Sequence, residues 1–160
     1  MTQPATKIGY VKVLSEDPYR LAMRENTGLQ LVTLLVPEYD AAIDHYVGAL
    51  GFELVEDTDR GEGRRWVVVR PAGGGAGLVL ARASTPEQVA AIGNQTGGRV
   101  GFFWHVDDFA ATHARLVSAG VELLEEPRHE SYGSVVVFRD GFGNRWDLMA
   151  PAAATSSTSK

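Results

Sequence analysis

The sequence predicts an α+β protein made of two copies of one unit, each running strand, helix and three strands. Three observations carry this. The chain repeats itself at an offset of about seventy residues. Each copy passes from an apolar stretch of strand length into a helical period. Each copy also closes on a β-branched stretch, a glycine-rich turn and a last strand, which is a hairpin signal.

The first copy reads LVTLLVPEYDAAIDHYVGALGFELVED from Leu31, and the second reads GFFWHVDDFAATHARLVSAGVELLEEP from Gly101. Val36 falls opposite Val106, Tyr39 opposite Phe109, and Gly51 opposite Gly120. Tyr39, Ala42, Ile43, Tyr46 and Leu50 share one face of the first predicted helix; Phe109, Thr112, His113 and Leu116 share one face of the second. Asp40, and Asp107 or Asp108, are the expected N-caps. Gly51 and Gly120 stand where a left-handed residue ends a helix, and FELVE or VELLE then continues as a strand. RWVVVRPAGGGAGLVLA and SVVVFRDGFGNRWDLMA supply the closing hairpins.

These signals divide the chain into an N-terminal extension (1–28), a first module (29–82), a linker (83–100), a second module (101–151) and a small, polar, disordered tail (152–160). In the linker, Ser84, Thr85, Pro86 and Glu87 form a capping-box arrangement ahead of a short helix, and GNQTGG follows. Within the extension, a strand over 8–14 and a short helix over 17–26 are the expected elements.

Composition narrows the partners. At 160 residues and 44% apolar, the chain can bury one substantial core. Its net charge of -5, with no run of lysines or arginines, lacks the basic footprint of a nucleic-acid or anionic-membrane binder. With no cysteine, it has no disulfides, thiolate ligands or cysteine nucleophile. No stretch of about eighteen apolar residues and no export-type start is present. A cytoplasmic protein acting on small molecules is the expectation.

VPEYDAAIDHYVGALGFEL, VDDFAATHARLVSAGVELLEEP and the closing FRDGFGNRWDLM together resemble the vicinal oxygen chelate superfamily of glyoxalase, bleomycin-resistance and extradiol-dioxygenase proteins, over roughly Leu29 to Pro151. The resemblance implies paired modules whose strands curl into a cup with helices outside, within one chain or across a homodimer. It does not imply a particular reaction.

Members that do chemistry hold a divalent ion at the cup floor through histidine and glutamate, and the ion stabilises negative charge on substrate oxygens. Carried onto this chain, the family's four positions fall on Leu31, on Leu78 or Val79, on Gly101 and on Asp147. Asp147 alone could ligate, as a shortened version of the family's glutamate. A lone carboxylate binds a divalent ion weakly, so no tightly bound metal and no other cofactor is expected.

Given the family position at Gly101, alternation puts Gly101, Phe103 and His105 on the cup face and Phe102, Trp104 and Val106 behind it. By the same rule Leu31, Thr33 and Leu35 line the opposite wall, and Arg145, Asp147 and Met149 line the closing strand. An apolar cup with a few polar groups suits a small organic molecule with a ring and one or two polar substituents. Leu31, Thr33, Phe103, His105, Tyr132 and Asp147 are the candidate ligand-binding residues. His105 and Asp147 are the candidate catalytic pair, because an imidazole titrates near neutral pH and the carboxylate could orient it or a ligand amine. A structural role for His105, a loop-capping role for Asp147 and a plain surface turn at Tyr132 compete with these readings. His45 and His113 belong to helix faces, and His129 with Glu130 to a loop. Trp66, Trp104 and Trp146 are expected in the core, the side of Trp66 being open.

Three functions fit. One is a metal-free binding protein resembling the bleomycin-resistance type. The second is an enzyme: a metal-free lyase or isomerase using His105 and Asp147 for proton transfer, or a metal-dependent lyase or dioxygenase whose ligands lie elsewhere. The third is an interaction module whose N-terminal extension recruits a partner.

Overall fold

The computed structural model describes residues 27–153; the strand and helix expected before residue 27 and the tail beyond residue 153 lie outside the described residues. The described residues from Leu31 onward form one compact unit. Strand β1 (Leu31–Val36) leads into helix α1 (Tyr39–Ile43), which widens into a π-helical turn over Asp44–Ala49. Strands β2 (Glu53–Gly61), β3 (Arg64–Arg70) and β4 (Gly77–Arg82) complete the first module. A short helix α2 (Pro86–Ala91) precedes β5 (Val100–His105), α3 (Phe109–Ser118), β6 (Glu122–Leu123), β7 (Arg128–Glu130), β8 (Gly133–Arg139) and β9 (Arg145–Pro151).

Each module makes its own mixed sheet. In the first the order is β1-β4-β3-β2, with β1 parallel to β4 and Leu31 opposite Gly77. The second repeats it as β5-β9-β8-β6, with β5 parallel to β9 and β7 also paired to β8. This is the predicted α+β class with its duplicated unit.

Several local expectations change. Asp40 does not cap α1; Glu38 holds the N-cap position without a side-chain bond, and Asp40 in the first turn pairs with Arg65 at 2.7 Å. Asp108, rather than Asp107, caps α3 by accepting from the Ala111 N–H at 2.9 Å. Thr85 caps α2, accepting from Gln88, whose side chain in turn accepts from the Ser84 N–H. VELLE does not run on as one strand like its counterpart: only Glu122–Leu123 is paired, and β7 follows separately. Gly51 and Gly120 do take the left-handed conformation, at φ 78° and 72°.

One core joins the modules. Leu34, Val36, Val67, Val69, Leu78 and Leu80 from the first sheet and Val136, Phe138, Trp146 and Leu148 from the second belong to a single buried cluster with Ala42, Tyr46 and Leu116 of the helices. Alternation along each strand therefore sends one set of side chains inward and leaves the other set on an open face. Tyr46, from the first module's helix, packs against Trp146 of the second sheet, and α1 also lies on β3 and β4. Arg115 of α3 donates to the carbonyls of Gly48 and Ala49, each at 3.2 Å. The inward faces of both sheets and the helices thus share one core.

The outer edge of β1 is occupied by a side chain. Gln95 accepts from the Leu35 N–H at 2.6 Å and donates to the Thr33 carbonyl at 3.2 Å, so its amide takes the place of a peptide group from a neighbouring strand.

Candidate functional site

The open face of the second sheet is set by the register of three strands. Phe103 of β5 stands opposite Asp147 of β9, which stands opposite Val137 of β8; His105 stands opposite Met149, which stands opposite Val135. The neighbouring residues of these strands, Phe102, Trp104, Trp146 and Leu148, turn into the core, where Phe102 stacks on Trp146 at 4.3 Å between ring centroids. Phe103 is an aromatic side chain left 62% exposed on a sheet face. Burying such a ring would be worth roughly 1.5–3 kcal/mol.

Asp147 is the polar centre of this face. Its Oδ1 is buried and has no hydrogen-bond partner among the described residues. Burial raises its pKa above the ordinary carboxylate value; the positive charge of Arg128 opposes the shift and the negative charge of Glu125 adds to it. Arg128 is itself held by Glu125 at 3.1 Å and approached by Glu130 at 3.8 Å. His105 shares the face but sits diagonally from Asp147 and is exposed. It also borders a cleft of about 320 Å³ between the modules, with Trp104, Arg115, Leu50 and Gly51. Tyr132 is 57% exposed at the turn between β7 and β8, where its carbonyl accepts from the Ala152 N–H at 3.0 Å.

The remaining candidates lie elsewhere. Leu31 and Thr33 are on the open face of the first sheet, beside Gly77 and Val79. That face carries Trp66 and Val68 as well, Trp66 standing opposite Thr58. Trp66, whose side the sequence left open, is outside the core cluster, whereas Trp104 and Trp146 join it. Leu31 and Thr33 belong to the first sheet and Phe103 to the second.

The residues fit a divalent ion poorly. Val79, not Leu78, shares a face with Leu31, since Leu78 is in the core, so the face positions are Leu31, Val79, Gly101 and Asp147. Only a carboxylate among them can ligate, and the described residues contain no group of three histidines, cysteines or acids able to hold a metal. His129 is engaged with Ser134 Oγ at 2.8 Å, and His113 stacks on Phe109.

A polar cluster beneath the face escaped the sequence reading. Asp140, buried, accepts from Tyr46 Oη at 2.6 Å, from Trp146 Nε1 at 2.9 Å, from the Asn144 amide and from the backbone N–H groups of Phe142 and Asn144. These bonds fix the β8–β9 turn and hence the phase in which Asp147 emerges on β9. The Asp-Gly-Phe-Gly-Asn turn was visible in the sequence, but Tyr46, its partner from the other module, was not.

Comparison with known proteins agrees with this architecture. Residues 28–148 match the model of the Glyoxalase/Bleomycin resistance protein/Dioxygenase superfamily. An uncharacterised protein of Shewanella frigidimarina is 49% identical over 120 residues, covering 74% of this chain and 89% of that protein. The crystal structure of UcmS2 is similar at TM-score 0.66 and 32% identity, covering 78% of this chain and 98% of its own. TnmS3, an antibiotic binding protein from Streptomyces sp. CB03234, is similar at TM-score 0.63 and 30% identity, covering 80% of this chain and 98% of its own. The chain belongs to the glyoxalase/bleomycin resistance protein/dioxygenase superfamily.

Proposed function

We propose that this protein binds a small, ring-containing organic molecule without the help of a metal ion, as a cytoplasmic homodimer. The observation that carries the reading is the open face of the second sheet, where exposed Phe103 lies beside the half-buried carboxylate of Asp147 among Val135, Val137 and Met149. Aromatic and aliphatic walls with a few placed polar groups are what small-molecule sites are made of. The likeness to an antibiotic binding protein at 30% identity supports the same reading.

Pairing would use the different groups that the two sheets carry on their open faces. One chain offers two half-walls, Leu31, Thr33, Val68 and Val79 on one side and Phe103, Val135, Asp147 and Met149 on the other. In this reading a second copy closes the cup, the first sheet of one chain facing the second sheet of its partner. Such isologous pairing gives two equivalent cups.

The test is a panel of aromatic metabolites and antibiotics screened for thermal stabilisation and tryptophan quenching, before and after dialysis against a chelator. Saturable binding with unchanged affinity after chelation is expected. Loss of binding on chelation, restored by a divalent ion, would overturn the metal-free reading.

A second reading is a metal-free lyase or isomerase, favoured by the raised pKa of Asp147 on the face that also bears His105. In that case Asp147→Asn and His105→Ala would each lower turnover of a bound compound by at least about a hundredfold. A binding protein would return the compound unchanged.

A further inference from the structure

We infer that the molecule held on this face presents a hydrogen-bond donor, an N–H or O–H carried next to an aromatic ring, to the carboxylate of Asp147, which thereby selects among ligands. This rests on the small-molecule reading above and names the chemistry that the face selects.

In the register, Asp147 has Phe103 on one side and Val137 on the other, with Met149 after it and Arg145 before it along the same face, so apolar groups flank the carboxylate on three sides. Its Oδ1 is shut off from solvent with no donor among the described residues. An acceptor kept from water without a partner destabilises the site it occupies, and a donor brought by a ligand relieves that. The cations on this side do not supply one, including Arg145, which stands two residues before Asp147 on the same face and makes no bond to Oδ1. Arg128 is bound by Glu125 and approached by Glu130, and Arg139 is bound by Glu122 at 2.8 Å. A ligand carboxylate or phenolate would meet Asp147 with like charge, and an ether or ketone would leave Oδ1 unpaired. A hydroxyl or an ammonium satisfies it, while Phe103, 62% exposed, offers its ring to the rest of the molecule.

The experiment uses the full chain and three probes on one ring system: 2-naphthol, naphthalen-2-ylmethylamine and 2-methoxynaphthalene, titrated at neutral pH. The two donors are expected to bind at least about tenfold more tightly than the methyl ether, the ratio a hydrogen bond to a charged group supplies. In Asp147→Leu that preference should shrink to within about twofold. Asp147→Asn, nearly the same shape, keeps a carbonyl acceptor but no charge, so it should retain the preference for 2-naphthol and lose most of that for the amine. It serves the same purpose if the leucine variant does not fold. Stronger wild-type binding of the amine than of naphthol would assign a charged donor, and the reverse a neutral one; either supports the inference. Equal affinity for all three probes in the wild type overturns it while leaving the small-molecule reading intact. No binding of any probe removes both.

Discussion

The imidazole Nε2 of His45 accepts a hydrogen bond from the backbone N–H of Gly141 at 2.9 Å, tying the helix of the first module to the closing hairpin of the second. The ring also meets Phe142 and Tyr46 edge-on. To accept, Nε2 must be unprotonated, so this contact between modules depends on pH.

Burial lowers the pKa of His45 below its ordinary value of 6.5, and the attraction of Asp140 only partly offsets it. In the range just below 6.5 the unfolded chain therefore binds a proton that the folded chain refuses, and stability falls as pH falls. Urea denaturation from pH 8 to pH 5 should show this decline, and His45→Ala should flatten it. At pH 8 the same substitution should cost about 1 kcal/mol, the net value of one ordinary hydrogen bond.

Tyr46→Phe removes the hydroxyl donor from the buried Asp140 carboxylate without changing the ring that packs on Trp146. A bond to a charged group is worth about 2 kcal/mol; a loss of that size in the chemical denaturation midpoint is expected. The Tyr46 pKa is raised well above 10 by burial and by the adjacent negative charge. In an ultraviolet titration of the wild type one tyrosine should accordingly stay protonated until the protein unfolds.

Gly51→Ala should destabilise by about 1–2 kcal/mol, because its backbone is left-handed at φ 78° and L residues resist that conformation. A Cβ there would also lie 2.7 Å from the Arg115 guanidinium, which holds the Gly48 and Ala49 carbonyls. Arg115→Ala removes this second conflict. The double variant should therefore be less unstable than the sum of the two single variants, with the backbone strain as the remainder.

Phe103→Arg places a charge on the proposed cup wall at a side chain already largely exposed, so the melting temperature should change by only a few degrees. Aromatic binding should fall by at least tenfold, and sedimentation should show a shift from dimer toward monomer. Unchanged binding and unchanged mass would reject this face as both site and interface.

Much of this architecture could be read from residue order, since the two-residue period of a strand is a local property. It sets Phe103 apart from Trp104 and Asp147 apart from Trp146, while the family resemblance brings Phe103 and Asp147 to one face. Gly51 and Gly120 likewise announced the helix ends, because left-handed backbone selects glycine. The π-helical turn over Asp44–Ala49 was not legible. It brings Tyr46 to Asp140 and His45 to Gly141, contacts between residues far apart in sequence. Arg128, held by Glu125, was missed because the stretch between β6 and β7 has no periodicity to assign it a side.

Gln95 has a consequence for how the chain can meet its own kind. A bare strand edge templates further strands, and natural sheets take measures against uncontrolled growth there. A planar amide that both donates and accepts satisfies Thr33 and Leu35 as a peptide unit would, from a residue that is part of no strand. The sheet is brought to a stop by its own linker, and β1 is closed to recruitment at that point. Two copies meeting around β1 would then touch through side chains rather than through a continuous backbone ladder, a joint that can part without unravelling either sheet.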